Sequence, residues 1–173
     1  IILVDIKTKK KTLLTSSMRA NYPKFSPNGE KILFIAHKNS TTDLYVMNVN
    51  GRDIKKLTTN DFDTQIITPF WSPDGQEIVF AESGSDGNLD LYIMQIESRE
   101  KTQITNSREG DFLPIWHPIG DKISFTGLYD YTPNLFTYDI ETGGIVQNTD
   151  IGDAVMGIQW NSKSSTITAM TLP

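Results

Sequence analysis

The apolar residues of this chain fall in short stretches with a period of two, and no apolar stripe of useful length has a period of 3.6. Ile32 and Phe34, Ile78 and Phe80, and Ile123 and Phe125 each flank one intervening residue, which puts both members of a pair on one face of a strand. Ile167 and Ala169 give a weaker copy of the pair. Leu44 to Val49 is nearly continuously apolar, as expected of a strand covered on both faces. Asn50-Gly51 then predicts a hairpin turn into a strand over Ile54 to Leu57. These patterns predict an all-β chain.

The stretches recur in a fixed order. Pro23-Lys24-Phe25-Ser26-Pro27-Asn28-Gly29 is followed by Pro69-Phe70-Trp71-Ser72-Pro73-Asp74-Gly75 and by Pro114-Ile115-Trp116-His117-Pro118-Ile119-Gly120. A weaker fourth copy is Ile158-Gln159-Trp160-Asn161-Ser162-Lys163-Ser164. Phe25, Trp71, Trp116 and Trp160 lie 46, 45 and 44 residues apart, and an Ile follows each at seven residues. A third column reads Asp43-Leu44-Tyr45, Asp90-Leu91-Tyr92 and Asn134-Leu135-Phe136, and Thr58, Thr105 and Thr149 each come fourteen residues after the Leu. In the turn, Pro presets φ and Gly accepts a positive one.

Four short strands recurring at this period predict β-propeller blades, each a four-stranded antiparallel sheet. Pro23, Pro69 and Pro114 place the first strand on a sheet edge, where a missing donor costs nothing. Phe25, Trp71 and Trp116 are expected to wedge between adjacent sheets. The repeats run over about 18–60, 62–107 and 109–151, with 152–173 paired with 1–17. Ile1 to Thr15 matches a third and fourth strand, and Gly157 to Leu172 a first and second. The expectation is therefore three complete blades and one split between the termini, in a single propeller domain over 1–173 or a part of a larger propeller. Three arrangements stay open: solitary closure as four blades, a homodimer completing an eight-bladed ring, and a slice of a longer protein. A chain beginning with Ile1 rather than Met favours the last.

The chain of 173 residues carries 16 Lys+Arg against 21 Asp+Glu, a net charge of −5, which argues against a general nucleic-acid binder. Without Cys and with two His, it offers no disulfide, no thiol nucleophile and no multi-His metal centre, so no cofactor is expected. No apolar run reaches the length of a membrane span. Neither a nucleophile elbow, a phosphate loop nor a zinc-protease helix is present, so the chain reads as no enzyme in itself. His117 stands in the Ser slot of the turn motif, His37 ends a second strand, and the run Lys7, Lys9, Lys10, Lys11 reads as a charged outer hairpin. Asp86, Asn88 and Asp90 have the alternating oxygens of a calcium loop, but Leu91 stands where such a loop needs Gly, and an ordinary hairpin is the better reading.

These columns resemble the TolB-type, WD-like propeller repeat: Pro69 to Gly75, Ile78 to Phe80, Asp90 to Met94 and Ile104-Thr105 match it almost position for position. The resemblance implies a ring of six or more blades and a periplasmic or other extracytoplasmic setting. It is specific for fold and poor for function, because this repeat serves scaffolds, envelope proteins and the gating domains of peptidases. Function on such a scaffold concentrates in loops. The connections into each first strand supply the partner-binding candidates Arg19, Asn21, Asp61, Asp63, Arg108, Glu109, Asp111 and Asp153, an acid-rich set suited to a basic protein or peptide. The alternative is a substrate-binding or gating propeller within a larger hydrolase or lyase.

Overall fold

The computed structural model describes residues 1–38, 41–61, 63–84, 86–161 and 166–172, and every regular element among them is a strand. A hairpin of β1 (Ile2–Val4) and β2 (Lys11–Leu13) comes first. Three four-stranded antiparallel sheets follow. Blade 1 is β3 (Arg19–Phe25), β4 (Lys31–Lys38), β5 (Thr41–Asn48) and β6 (Lys55–Lys56). Blade 2 is β7 (Ile66–Trp71), β8 (Glu77–Ser83), β9 (Leu89–Gln95) and β10 (Lys101–Gln103). Blade 3 is β11 (Asp111–Trp116), β12 (Lys122–Tyr129), β13 (Thr132–Asp139) and β14 (Ile145–Gln147). A second hairpin, β15 (Ala154–Trp160) and β16 (Ile167–Leu172), ends the chain.

One register serves every copy. The repeat aromatic faces the repeat Ile across the first two strands: Phe25 with Ile32, Trp71 with Ile78, Trp116 with Ile123 and Trp160 with Ile167. Between them Gly29 N–H donates to Ser26 C=O, Gly75 to Ser72 and Gly120 to His117, closing the expected turn three times. The fourth turn, over Ser162 to Ser164, lies outside the described residues.

Alternation along the second strand covers both faces of a blade. Ile32 and Phe34 of β4 pack toward the β1–β2 hairpin with Leu3 and Leu14, whereas Leu33 and Ile35 join Ile66, Trp71, Ile78 and Phe80 of blade 2. Val79 and Ala81 of β8 then meet Trp116, Ile123 and Phe125 of blade 3. Leu135 closes on Val155 and Ile158 of β15. A fully buried Ile, Leu, Val or Phe among them contributes about 1.5–3 kcal/mol. Ile78, Val79, Phe80 and Ala81 are all 0% exposed.

Trp71 and Trp116 are wedged as expected, each 5% exposed, and the Trp71 indole N–H reaches the Lys24 carbonyl of blade 1 at 3.1 Å. Phe25 corrects the expectation. It is 57% exposed, because the hairpin preceding blade 1 supplies only an outer strand pair and no inner pair on which Phe25 can lean. The innermost strands touch in the order β3, β7, β11, β15, and β3 does not meet β15. Nor do the two hairpins pair: they are separate sheets at opposite ends of an open fan.

Candidate functional site

Blades 1 and 3 fix the connections that leave them with the same small device, and blade 2 with a variant of it. In blade 1 the Thr58 hydroxyl accepts the Leu44 N–H at 3.0 Å and donates to Asp43 Oδ1 at 2.9 Å. Asp43 Oδ1 also accepts the Asn60 N–H, the first step of the connection to β7. Blade 3 repeats this with Thr149, Leu135 and Asn134, whose Oδ1 accepts the Ile151 N–H. In blade 2 Thr105 accepts the Leu91 N–H and Asp90 Oδ1 accepts the Ser107 N–H. This latch explains the fixed distance from Leu to Thr. It holds the start of each connection by buried groups, while the residues beyond it remain outside.

Those connections carry the candidates. Asp61 and Asp63 are exposed ahead of β7, with Asp63 at φ 66, and the stretch is tied back to blade 1 by Thr42 N–H to Thr64 C=O. Arg108 is exposed, and Glu109 Oε2 accepts the Tyr131 N–H at the β12–β13 turn. With Ser107, Leu128 and Asp130 they line a cleft of about 410 Å³. Asp153 is exposed immediately before β15, and Arg19 is exposed at the start of β3. Asn21 is half-buried, its amide nitrogen 2.9 Å from His37 Nε2 across the β3–β4 pair. His37 itself is exposed near the end of β4.

Asp111 differs from the rest of the set. It is 6% exposed, in a column that the other copies fill with Ala20, Ile66 and Val155, so it does not offer its carboxylate to a partner. Burial raises its pKa and the charge of Asp90 raises it further, against hydrogen bonds from the Thr105 and Ser107 hydroxyls. Gly127, opposite it in register, makes the room: a Cβ there would lie 2.7 Å from Asp111 Oδ1.

The calcium-type loop does not converge. Asp86 accepts the Asn88 N–H and side-chain amide, whereas Asp90 faces Ser107 and Gln103, and no group of three or more His, Cys, Asp or Glu side chains placed to hold a metal forms among the described residues. His117 serves its turn, bonding Asp121 and lying edge-on to Trp160 with centroids 4.4 Å apart.

Sequence reasoning missed the inner wall. Tyr22, Thr68, Leu113 and Gly157, each three residues before the repeat aromatic, have φ of 50, 49, 54 and 63, and the ladder shifts register at each. These bulges line an inner cleft of about 280 Å³ with Phe70, Ile115 and Lys24, whose ammonium stands 5.3 Å over the Phe70 ring. A positive φ at every fourth-from-last position of a first strand is the signal, but no glycine marks three of the four.

Comparison with known proteins places the chain. The TolB beta propeller domain matches residues 59–172. A TolB homolog from Chlorobium luteolum is 28% identical over 121 residues, covering 70% of this chain and 27% of that protein. An uncharacterized peptidase, YuxL of Bacillus subtilis, is 34% identical over 86 residues, covering 49% of this chain and 12% of that protein. The crystal structure of TolB from Acinetobacter baumannii superposes with a TM-score of 0.80 at 20% identity, covering 97% of this chain and 42% of that one. The chain spans less than half the length of the curated relatives it matches.

Proposed function

Since the chain belongs to the TolB β-propeller domain family, we propose that it is a non-catalytic recognition platform whose connections into each first strand bind a basic protein or peptide in an extracytoplasmic compartment. One observation carries this reading: the latch pins each connection from below, and the exposed residues beyond it include Asp61, Asp63 and Asp153 with the half-buried Glu109. Rigid display lowers the ordering cost of binding, and a surface of one sign speeds the encounter with a partner of the other. Arg19 and Arg108 interrupt the field and give it orientation.

The test compares a lysine-rich and a glutamate-rich peptide by fluorescence anisotropy at low and high salt. The platform binds the lysine-rich peptide at least tenfold more tightly at low salt, and Asp61→Asn, Asp63→Asn and Asp153→Asn together abolish the preference. Equal affinity for the two peptides overturns the reading. The identity to YuxL supports a second one, a propeller serving a longer hydrolase or lyase by admitting substrate to chemistry carried elsewhere. Cleavage of chromogenic peptides by a longer product of the same gene favours that role.

A further inference from the structure

The buried Asp or Asn of each latch is accommodated differently in the three blades. In blade 1 the charge of Asp43 is met by Lys56 at 2.8 Å and by the Thr58 hydroxyl. In blade 3 the position is Asn134, which carries no charge. Blade 2 keeps a buried acid, Asp90, but Gln103 stands where blade 1 has Lys56, and its amide gives Asp90 Oδ2 only a neutral donor at 3.1 Å. Blade 3 then presents a second buried acid to the same place, Asp111 of β11. The Thr58 and Thr149 hydroxyls donate to the Asp or Asn of their own blades, whereas the Thr105 hydroxyl donates to Asp111. A buried charge without a cation is costly, and a second of the same sign beside it raises the cost.

The segment that joins the two acids is the connection leaving blade 2. Asp90 Oδ1 accepts the Ser107 N–H at 3.0 Å. The Ser107 hydroxyl donates to Asp111 and its oxygen accepts the Gly110 N–H at 2.9 Å. Ser107 thus holds both carboxyls, and Arg108 and Glu109 lie between its bonds to Asp90 and Gly110. The remaining charges around the pair do not neutralise it. Asp86 adds negative charge beside Asp90. Glu82 faces Asp90 across β8 and β9 and is bound to Lys101 at 2.6 Å. Arg108 is exposed and Glu109 half-buried on the connection itself, and Asp130 is exposed across the cleft. Burial, with the charge of Asp86, raises the pKa of Asp90 against its bonds from Ser107 and Gln103, in the same direction as at Asp111.

We propose that Asp90 and Asp111 work the latch of blade 2 with a single proton. With the proton on Asp111, its O–H donates to the Ser107 hydroxyl oxygen, the Thr105 hydroxyl turns to Asp90 as in the other blades, and the connection is held. When the proton leaves to water, both hydroxyls donate to the Asp111 carboxylate and Asp90 loses one. Two like charges then face each other across Ser107, and the connection lifts to admit water. The segment that moves carries Arg108 and Glu109 and walls the cleft of about 410 Å³, so whatever enters that cleft is bound in a pH-dependent way. The device does not depend on what the connections bind.

Amide exchange of the whole chain, followed by nuclear magnetic resonance and corrected for intrinsic rates, tests it. From about pH 5 to about pH 8, Ser107 and Gly110 lose protection roughly tenfold. Asn60 and Ile151, which begin the other two connections in the same way, do not. Asp111→Asn fixes the uncharged form, and Gln103→Lys returns to Asp90 the cation of blade 1; each keeps Ser107 and Gly110 protected across the range. Carbon-13 carboxyl shifts show Asp111 titrating above the ordinary Asp range. An equal loss of protection in all three connections, an Asp111 that titrates within that range, or a pH response that survives in either folded variant overturns the proposal.

Discussion

Thr58 shows how much of a blade one hydroxyl can hold. It is 5% exposed and joins the Leu44 amide to a carboxylate, Asp43, that is 3% exposed and also receives Lys56 at 2.8 Å. Thr58→Val keeps the shape and leaves a buried N–H without an acceptor, a loss of about 1–3 kcal/mol that a urea midpoint detects; Thr58→Ser recovers most of it. Asp111 is opposite in sign. Its folded pKa is raised by burial, so the folded state holds a proton that the unfolded state releases, and stability falls as pH rises through the folded value. Asp111→Asn therefore raises the melting temperature at pH 7 and flattens the pH dependence above pH 4, measured by thermal scans across that range. The Thr column was legible in the sequence as a fixed spacing, because a latch requires a fixed distance from its Leu. Asp111 was legible only as an acid in a loop, because its burial depends on Gly127 of a strand that arrives later in the chain.

At the scale of the strand, the turn and the alternation were both readable, since each depends on a few neighbouring residues: Pro and Gly in Ser72 to Gly75, and a period of two in Ile78 and Phe80. The bulge was not. Tyr22, Thr68 and Leu113 each precede a proline, which locally favours an extended backbone with negative φ, and the structure gives each a positive one. Packing of neighbouring first strands against one another overrides the local preference. A β-branched residue at φ 49 is strained. Thr68→Gly matches the glycine of the fourth copy and leaves the melting temperature unchanged or higher, despite the usual cost of glycine in a strand of roughly 0.5–1 kcal/mol. The same change at Ile67, one residue earlier and outside the left-handed region, lowers it.

The whole molecule is a row of sheets in which each leans on the next, and this was the most legible level of all, because a repeat states its own geometry several times. What the sequence left open was the shape of the row at its ends, which depends on strands that pair over the full length of the chain or beyond it. Phe25 was expected to be buried like Trp71 for that reason: its column is identical and only its neighbour differs. The exposed acids Asp61 and Asp63 on one connection and Asp153 on another belong to this scale too, since those connections lie far apart in sequence.

One feature of the row sets how it comes apart. Blade 2 alone has a complete sheet on each side, and four consecutive residues of β8 are sealed from water, whereas most of β16 lies open. Cooperativity in such a stack passes only between neighbours, so loosening spreads inward from both flanks. Deuterium uptake would grade accordingly, slowest at Val79 and Phe80 and quickest at Met170 and Leu172, and a protease would trim the flanks before it could cut the middle.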